Sequence, residues 1–234
     1  MSEPVMFLDR ADAGRRLAQK LGMWRGRDAV VMALPRGGVP VAAEIARVLE
    51  APLDLVLVRK IGAPFQPELA IGAVVDGEEP ELVLNQDVVD ALSVPERYIE
   101  AERKRQVAEI ERRRTLYFAG RERASPAGRP VILVDDGIAT GATARVAIHA
   151  LKRKGPARLI LAVPVAPPDS AAELAREVDE LVCLETPEQF FAISQFYADF
   201  PQVSDQEVSD VLARQRPPEG AVAARPQSQP STRS

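Results

Sequence analysis

Residues 131–143 read VILVDDGIATGAT: an apolar run, two adjacent carboxylates, and a loop of glycine and threonine opening a helical stretch. These types suit a sugar phosphate. Ligands of open parallel sheets bind beyond the carboxyl ends of the strands, where a helix amino terminus offers unpaired N–H groups and a positive dipole end. Gly137 and Gly141 remove side chains so that the backbone can close around phosphate oxygens, and the hydroxyls of Thr140 and Thr143 can donate further hydrogen bonds. Asp135 and Asp136 stand so near that phosphate that they must face something else, and the vicinal hydroxyls of a ribose are the natural target. The plainer alternative is a strand ending in a capped turn, with the two acids as cap and loop residues. A P-loop is a poor match because no lysine follows Gly141, and the run lacks the Gly-x-Gly-x-x-Gly of a dinucleotide fingerprint.

Two further segments place cations where a strand should end. In LPRGGVP, residues 34–40, Arg36, Gly37 and Gly38 leave an apolar run and enter a helix, and Arg36 could meet a diphosphate. Alone, such a turn is more often a connection, since glycine serves tight turns everywhere. Arg59 and Lys60 follow the apolar run at 53–58, as a pair suited to a leaving diphosphate or simply as surface cations flanking a strand. His149, the only histidine, falls about two turns into the helix after the Gly/Thr loop and reads as a surface residue. Cys183, the only cysteine, sits in LVCL and reads as a buried strand thiol, so no disulfide within the chain and no cysteine zinc site can form.

The elements that must position these residues follow from periodicity. Residues 9–24 place Ala13, Leu17, Leu21 and Trp24 at helical spacing, with Asp9 as N-cap and Asp12 in the first turn. Strands at 29–34 and 53–58 flank a helix at 40–50, a βαβ unit. Strands at 130–134, 158–163 and 180–184 alternate with helices at 141–154 and 169–176. Near-continuous apolar strands alternating with helices imply an α/β fold, an open and mainly parallel sheet with helices on both faces. Residues 69–75 and 81–84 read as a hairpin turning at 76–79. Ser93 and Glu96 form a capping box, with Pro95 in the first turn, for a charged helix to about Tyr117. Its Glu/Lys and Glu/Arg pairs imply a solvated helix, but Arg112, Arg113 and Arg114 are three successive cations that cannot all pair locally.

The chain of 234 residues, 46% hydrophobic, supports one sizeable core with an accessory flap. We expect a unit over 1–212, with its core at about 29–184, the flap within 61–120 and a hood from 185–212. Residues 213–234, rich in Pro, Ser and Gln, read as a disordered tail. Lys plus Arg total 30 against 34 acids, so the formal charge of -4 argues against a nucleic-acid partner. The opening residues carry no long apolar region and no later run approaches bilayer length, so the expectation is a cytoplasmic protein without membrane contact.

VILVDDGIATGAT resembles the phosphoribosyl diphosphate motif of the type I phosphoribosyltransferase family, and PRGG, VRK and DDGIATGAT together resemble bacterial phosphoribosyltransferase-domain proteins. The resemblance implies that Asp135 and Asp136 bind the ribose hydroxyls and that Gly137, Ile138, Ala139, Thr140, Gly141, Ala142 and Thr143 bind the 5′-phosphate. It carries Arg36, Gly37, Gly38, Arg59 and Lys60 to the diphosphate, with Lys60 counted beside the two acids as catalytic. Residues 184–192, LETPEQFFA, faintly resemble a base-binding loop, so Phe190 or Phe191 could stack on a base, with Tyr197, Asp199 and Phe200 as further lining. The implied reaction passes the 5-phosphoribosyl group from phosphoribosyl diphosphate to a nitrogenous base, with Mg2+ carried by the substrate and held in part by Asp135 or Asp136. Nucleotide salvage and a homodimer are compatible with it. The alternative is a regulator of the same fold that binds phosphoribosyl diphosphate without turnover. Only about thirty residues precede the first strand, few for a DNA-reading domain, which ranks regulation below catalysis.

Overall fold

The computed structural model describes residues 6–77, 80–118 and 121–215. In chain order these form α1 (Arg10–Lys20), β1 (Val30–Ala33), α2 (Gly38–Leu49), β2 (Leu53–Leu55), β3 (Val58–Ala63), β4 (Gln66–Val75), β5 (Glu81–Leu84), α3 (Gln86–Ala91), α4 (Glu96–Phe118), β6 (Pro130–Val134), α5 (Ala142–Arg153), β7 (Arg158–Val165), α6 (Pro168–Ala175), β8 (Glu180–Glu185) and α7 (Asp205–Arg214). Five strands make a parallel sheet in the order β2-β1-β6-β7-β8, and β3-β4-β5 make a separate antiparallel sheet.

The apolar strands are continuous because both faces are covered. Val31, Ala33, Ile132, Val134, Ile160 and Ala162 pack under α1 and α2. The alternate residues Val30, Met32, Val131, Leu133, Leu159 and Leu161 pack under α5 and α6. Period-two alternation thus feeds two cores, and no polar face is needed. α1 starts as its sequence dictates, with the Asp9 carboxylate accepting from the Asp12 N–H at 2.6 Å.

The order of strands decides where a ligand can sit. From β1 the chain crosses through α2 to β2 on one side, and from β6 it crosses through α5 to β7 on the other. The adjacent carboxyl ends of β1 and β6 therefore flank the point where the winding reverses, where the two following loops diverge and leave a crevice. Leu34 N–H donates to the Val134 carbonyl at 2.9 Å, which fixes the two loops in register.

Three expectations are corrected. The run at 53–58 is not one strand: β2 ends at Leu55, Val56 and Leu57 make a buried corner, and Val58 already belongs to the antiparallel sheet. An apolar run gives no sign of the corner because the residues that turn are as buried as those that pair. The Ser93 cap is replaced by a short helix, α3, capped by Asn85. Ser93 follows it at φ 48, with its N–H on the Asp90 carbonyl, and α4 opens on the carbonyl of Pro95, which precedes the helix. Arg112, Arg113 and Arg114 all find partners: Arg112 and Arg113 share Glu109, Arg112 also meets Asp205, and Arg114 meets Glu111 and Asp76. The hairpin pairs as expected, Gly72 opposite Leu84 through Val75 opposite Glu81. Residues 78–79 of its turn lie outside the described residues, as does most of the tail, although residues 213–214 belong to α7.

Two buried acids tie the sheets together. The Arg123 Nε donates to Asp54 in the middle of β2 and its Nη1 to Asp76 after β4, each at 2.9 Å. Among the described residues no helix is long and apolar enough to cross a membrane.

Candidate functional site

At the carboxyl end of β6 the backbone turns through Asp135 and Asp136 into the Gly/Thr loop. Gly141 takes φ 73 and stands as N-cap of α5, a conformation that glycine adopts without the strain a side chain brings. The Ile138 N–H donates to the Val165 carbonyl at 2.9 Å, anchoring the loop to the next strand. Residues 135–144 line a cavity of about 200 Å³ together with Lys60 and Ile193. The amino terminus of α5 faces this space, so its unpaired N–H groups and dipole favour an anion there.

The two acids differ in their surroundings. Asp135 accepts the Asp136 N–H at 2.9 Å, and burial followed by the charge of Asp136 pushes its carboxyl well above the usual carboxylate range. Asp136 is buried against a cation: its Oδ2 accepts from the Arg10 Nε at 2.8 Å, with the side chains only 9% and 11% exposed. Arg10 also donates from Nη1 to the Pro201 carbonyl at 2.7 Å and lays its guanidinium 3.7 Å from the centre of the Phe200 ring. The Tyr197 hydroxyl donates to the Asp136 carbonyl at 2.6 Å, and burial raises its pKa.

The loop between β1 and α2 closes over the acids. A Cβ on Gly37 would stand 2.0 Å from the Asp136 Oδ2, and one on Gly38 2.7 Å from the Val134 carbonyl, so only glycine lets this loop approach so near. Arg36 and Gly37 line a second cavity of about 380 Å³ with Arg10, Asp136, Phe200 and Val203. The Arg36 Nη1 lies 3.5 Å from Asp205 at the start of α7. The Tyr117 hydroxyl, then Arg112, hold that carboxyl down at about 2, so it stays ionised as the partner of Arg36.

The structure therefore brings together Asp135, Asp136, residues 137–143, Lys60, Arg36 and Gly37, from separate places in the chain, around one edge of the parallel sheet. It separates others. Arg59 and Lys60 do not leave the parallel sheet; both lie within β3, where neighbouring side chains point to opposite faces. Lys60 lines the cavity at the Gly/Thr loop, whereas the Arg59 Nε donates to Gln106 of α4 at 3.0 Å. Phe190 packs on Phe196 with ring centres 5.1 Å apart, and Phe191 is 87% exposed, so neither lines these cavities, whereas Phe200, expected as further lining, lines the second. Cys183 lies in β8, its thiol on the Glu185 carbonyl, with burial pushing its pKa up to about 11. His149 is a surface partner of Glu177 on α5, as its position suggests.

Arg10 is the residue that sequence reasoning misses. One signal is present: a cation in the first turn of a helix opposes the dipole, so it calls for a partner from elsewhere.

Comparison with known proteins adds a family. Residues 82–201 match the model described as "Phosphoribosyl transferase domain". Two Mycobacterium tuberculosis proteins, MT0597 of strain CDC 1551 / Oshkosh and Rv0571c of strain ATCC 25618 / H37Rv, are named "Putative phosphoribosyl transferase". Each is 49% identical over 209 residues, covering 89% of this chain and 47% of the relative. The chain thus spans about half the length of these curated relatives. The crystal structure of TT1426 from Thermus thermophilus superposes with a TM-score of 0.77 at 42% identity, covering 89% of this chain and 98% of that one.

Proposed function

Because the chain belongs to the phosphoribosyl transferase family, we propose that it transfers the 5-phosphoribosyl group from phosphoribosyl diphosphate to a nitrogenous acceptor and releases diphosphate. The observation that carries this reading is the single cavity in which the α5 amino terminus and the acid pair stand side by side with Lys60. An anion at the helix start and vicinal hydroxyls at the acids are the two ends of one ribose 5-phosphate. Arg36 and Lys60, approaching from either side, then face the remaining end, where diphosphate leaves.

In this reading the residues of the chain mainly position and neutralise. The N–H groups of residues 137–143 and the hydroxyls of Thr140 and Thr143 hold the 5′-phosphate. Asp135 and Asp136 accept from the ribose hydroxyls and orient C1. Arg36 and Lys60 gain strength as negative charge builds on the departing diphosphate, so they lower the barrier more than they tighten ground-state binding. Among the described residues no cluster of three or more His, Cys, Asp or Glu could cage a metal ion. Two neighbouring carboxylates beside a diphosphate do fit Mg2+, which keeps several waters and binds through one or two carboxylates and substrate phosphates. Asp135 and Asp136 would hold it, and when bound it would offset charge on the diphosphate. The β3-β4-β5 hairpin layer, which carries Lys60, is positioned to exclude water from the reacting centre.

The test is diphosphate release from phosphoribosyl diphosphate and Mg2+ across a panel of purine and pyrimidine bases, beside calorimetric titration. Release with one class of acceptor supports transfer. Tight binding with silence across the whole panel points to an effector-binding protein instead.

A further inference from the structure

The buried contact between α1 and the acid pair reaches outside the segment matched to the family model, and it bears on how the proposed sugar end works. Arg10 is 8% exposed and sits in the first turn of a helix, where the dipole opposes it. Three contacts offset that cost: Asp136 on Nε, the Pro201 carbonyl on Nη1, and the Phe200 ring under the guanidinium plane. A buried ion pair adds little stability over a packed apolar pair of the same volume, so its distinctive consequence is geometric. Asp136 is gripped from three directions: Arg10 on Oδ2, Tyr197 on its carbonyl, and Gly37 close against its carboxylate.

We propose that Arg10 is a positioning residue of the sugar subsite: it holds the Asp136 carboxylate in one orientation, with Oδ1 turned to a vicinal diol, and ties that orientation to residues 197–201. The proposal rests on the reading of Asp135 and Asp136 as ribose acceptors. With Oδ2 committed to Arg10, Asp136 offers one oxygen, and Asp135 supplies the other acceptor of the diol. The cation also cancels one of two negative charges that would otherwise repel the neighbouring phosphate. Phe200 fixes the guanidinium plane, which a lysine ammonium could not reproduce, because stacking and directed N–H groups belong to arginine.

The experiment compares ribose 5-phosphate with 2-deoxyribose 5-phosphate, which lacks one hydroxyl of the diol, and with inorganic phosphate, by calorimetric titration of the full chain. Wild type should prefer the ribose compound by about tenfold, the worth of one good charged hydrogen bond. Arg10→Ala should bring that preference to near unity while changing inorganic phosphate affinity less than about twofold. Arg10→Lys should restore part of the preference, since it returns the charge without the plane. Should Arg10→Ala fail to fold, Arg10→Met, which keeps the packed stem without the charge, and Arg10→Lys carry the test. Among the variants, two results overturn the proposal: a folded variant that keeps the full ribose preference, or one that loses phosphate and sugar phosphate affinity equally, as a merely structural residue would. Absence of any ribose preference in wild type overturns it as well. Preference for ribose in wild type without diphosphate release on any acceptor sinks the transferase reading and leaves Arg10 in place.

Discussion

Charge is used in opposite ways on α4 and at the sugar end of the site. Along α4, Glu100, Glu102, Glu109 and Glu111 pair with arginines three or four residues on, and each pair keeps at least one side chain partly open to water. At Asp136 a single arginine arrives from 126 residues away and is buried. Exposed pairs in high dielectric gain little and are screened by salt, whereas a buried charge stripped of its partner is left without water to replace it. Density of charge is therefore a poor guide to where charge matters, and the sparser region carries the larger consequences.

The contrast is sharpest if one partner of the buried pair is removed. Arg10→Ala should cost about 3–5 kcal/mol, because Asp136 stays buried without its counter-ion. That is about 10 °C in melting temperature for a domain of this size, read by calorimetry. Next in size, Gly37→Ala forces a methyl to within 2.0 Å of the Asp136 Oδ2. It should cost about 1–3 kcal/mol by overpacking and weaken sugar phosphate binding at the same time.

Asp135→Asn should move stability and binding in opposite directions. Its carboxyl is raised by burial and by Asp136. As pH climbs above the ordinary value of 3.8, the unfolded chain therefore loses this proton before the folded chain does. Stability falls with rising pH through that window, until the folded carboxyl ionises too. The asparagine variant should accordingly melt higher than wild type at neutral pH, with the gap closing as pH falls toward 4. It should nonetheless bind sugar phosphate more weakly, and a variant that melts lower at neutral pH would remove the penalty ascribed to Asp135. Smallest of all, Arg105→Ala on α4, whose exposed side chain pairs only with Glu102 of the same helix, should leave melting temperature and ligand binding unchanged. A large loss there would erase the distinction between the two regions.

The phosphate loop is legible in the sequence because its chemistry is contiguous: strand, acids and loop follow one another in thirteen residues, and the fold carries them as written. Continuous apolar runs likewise announce the parallel strands, since burial on both faces leaves no alternation to misread. What escapes is anything settled by distant contact. The corner at Val56 and Leu57 carries no turn residue, so β3 reads as a continuation of β2 and Arg59 is credited with an outlook that only Lys60 has. α3 spans six residues, too few for a helical period to show. Phe190 and Phe191 draw attention as a pair and Phe200 only as further lining, because its place depends on where residues 193–203 fold back, which no local pattern encodes.

Near Asp136 the first described residues meet the last stretch before α7. Phe7 bridges to Tyr197, and Arg10 reaches Pro201 across 191 positions of sequence. The entropy of closing such a span grows only slowly with its length, but contacts of high sequence separation form late. A chain emerging from the ribosome can build β6, the Gly/Thr loop and α5 from neighbouring residues. The grip on the second acid must wait until residue 201 is free to fold. During synthesis the molecule should thus acquire its hold on phosphate before its hold on sugar, and competence for the whole ligand should wait for the segment around residue 201.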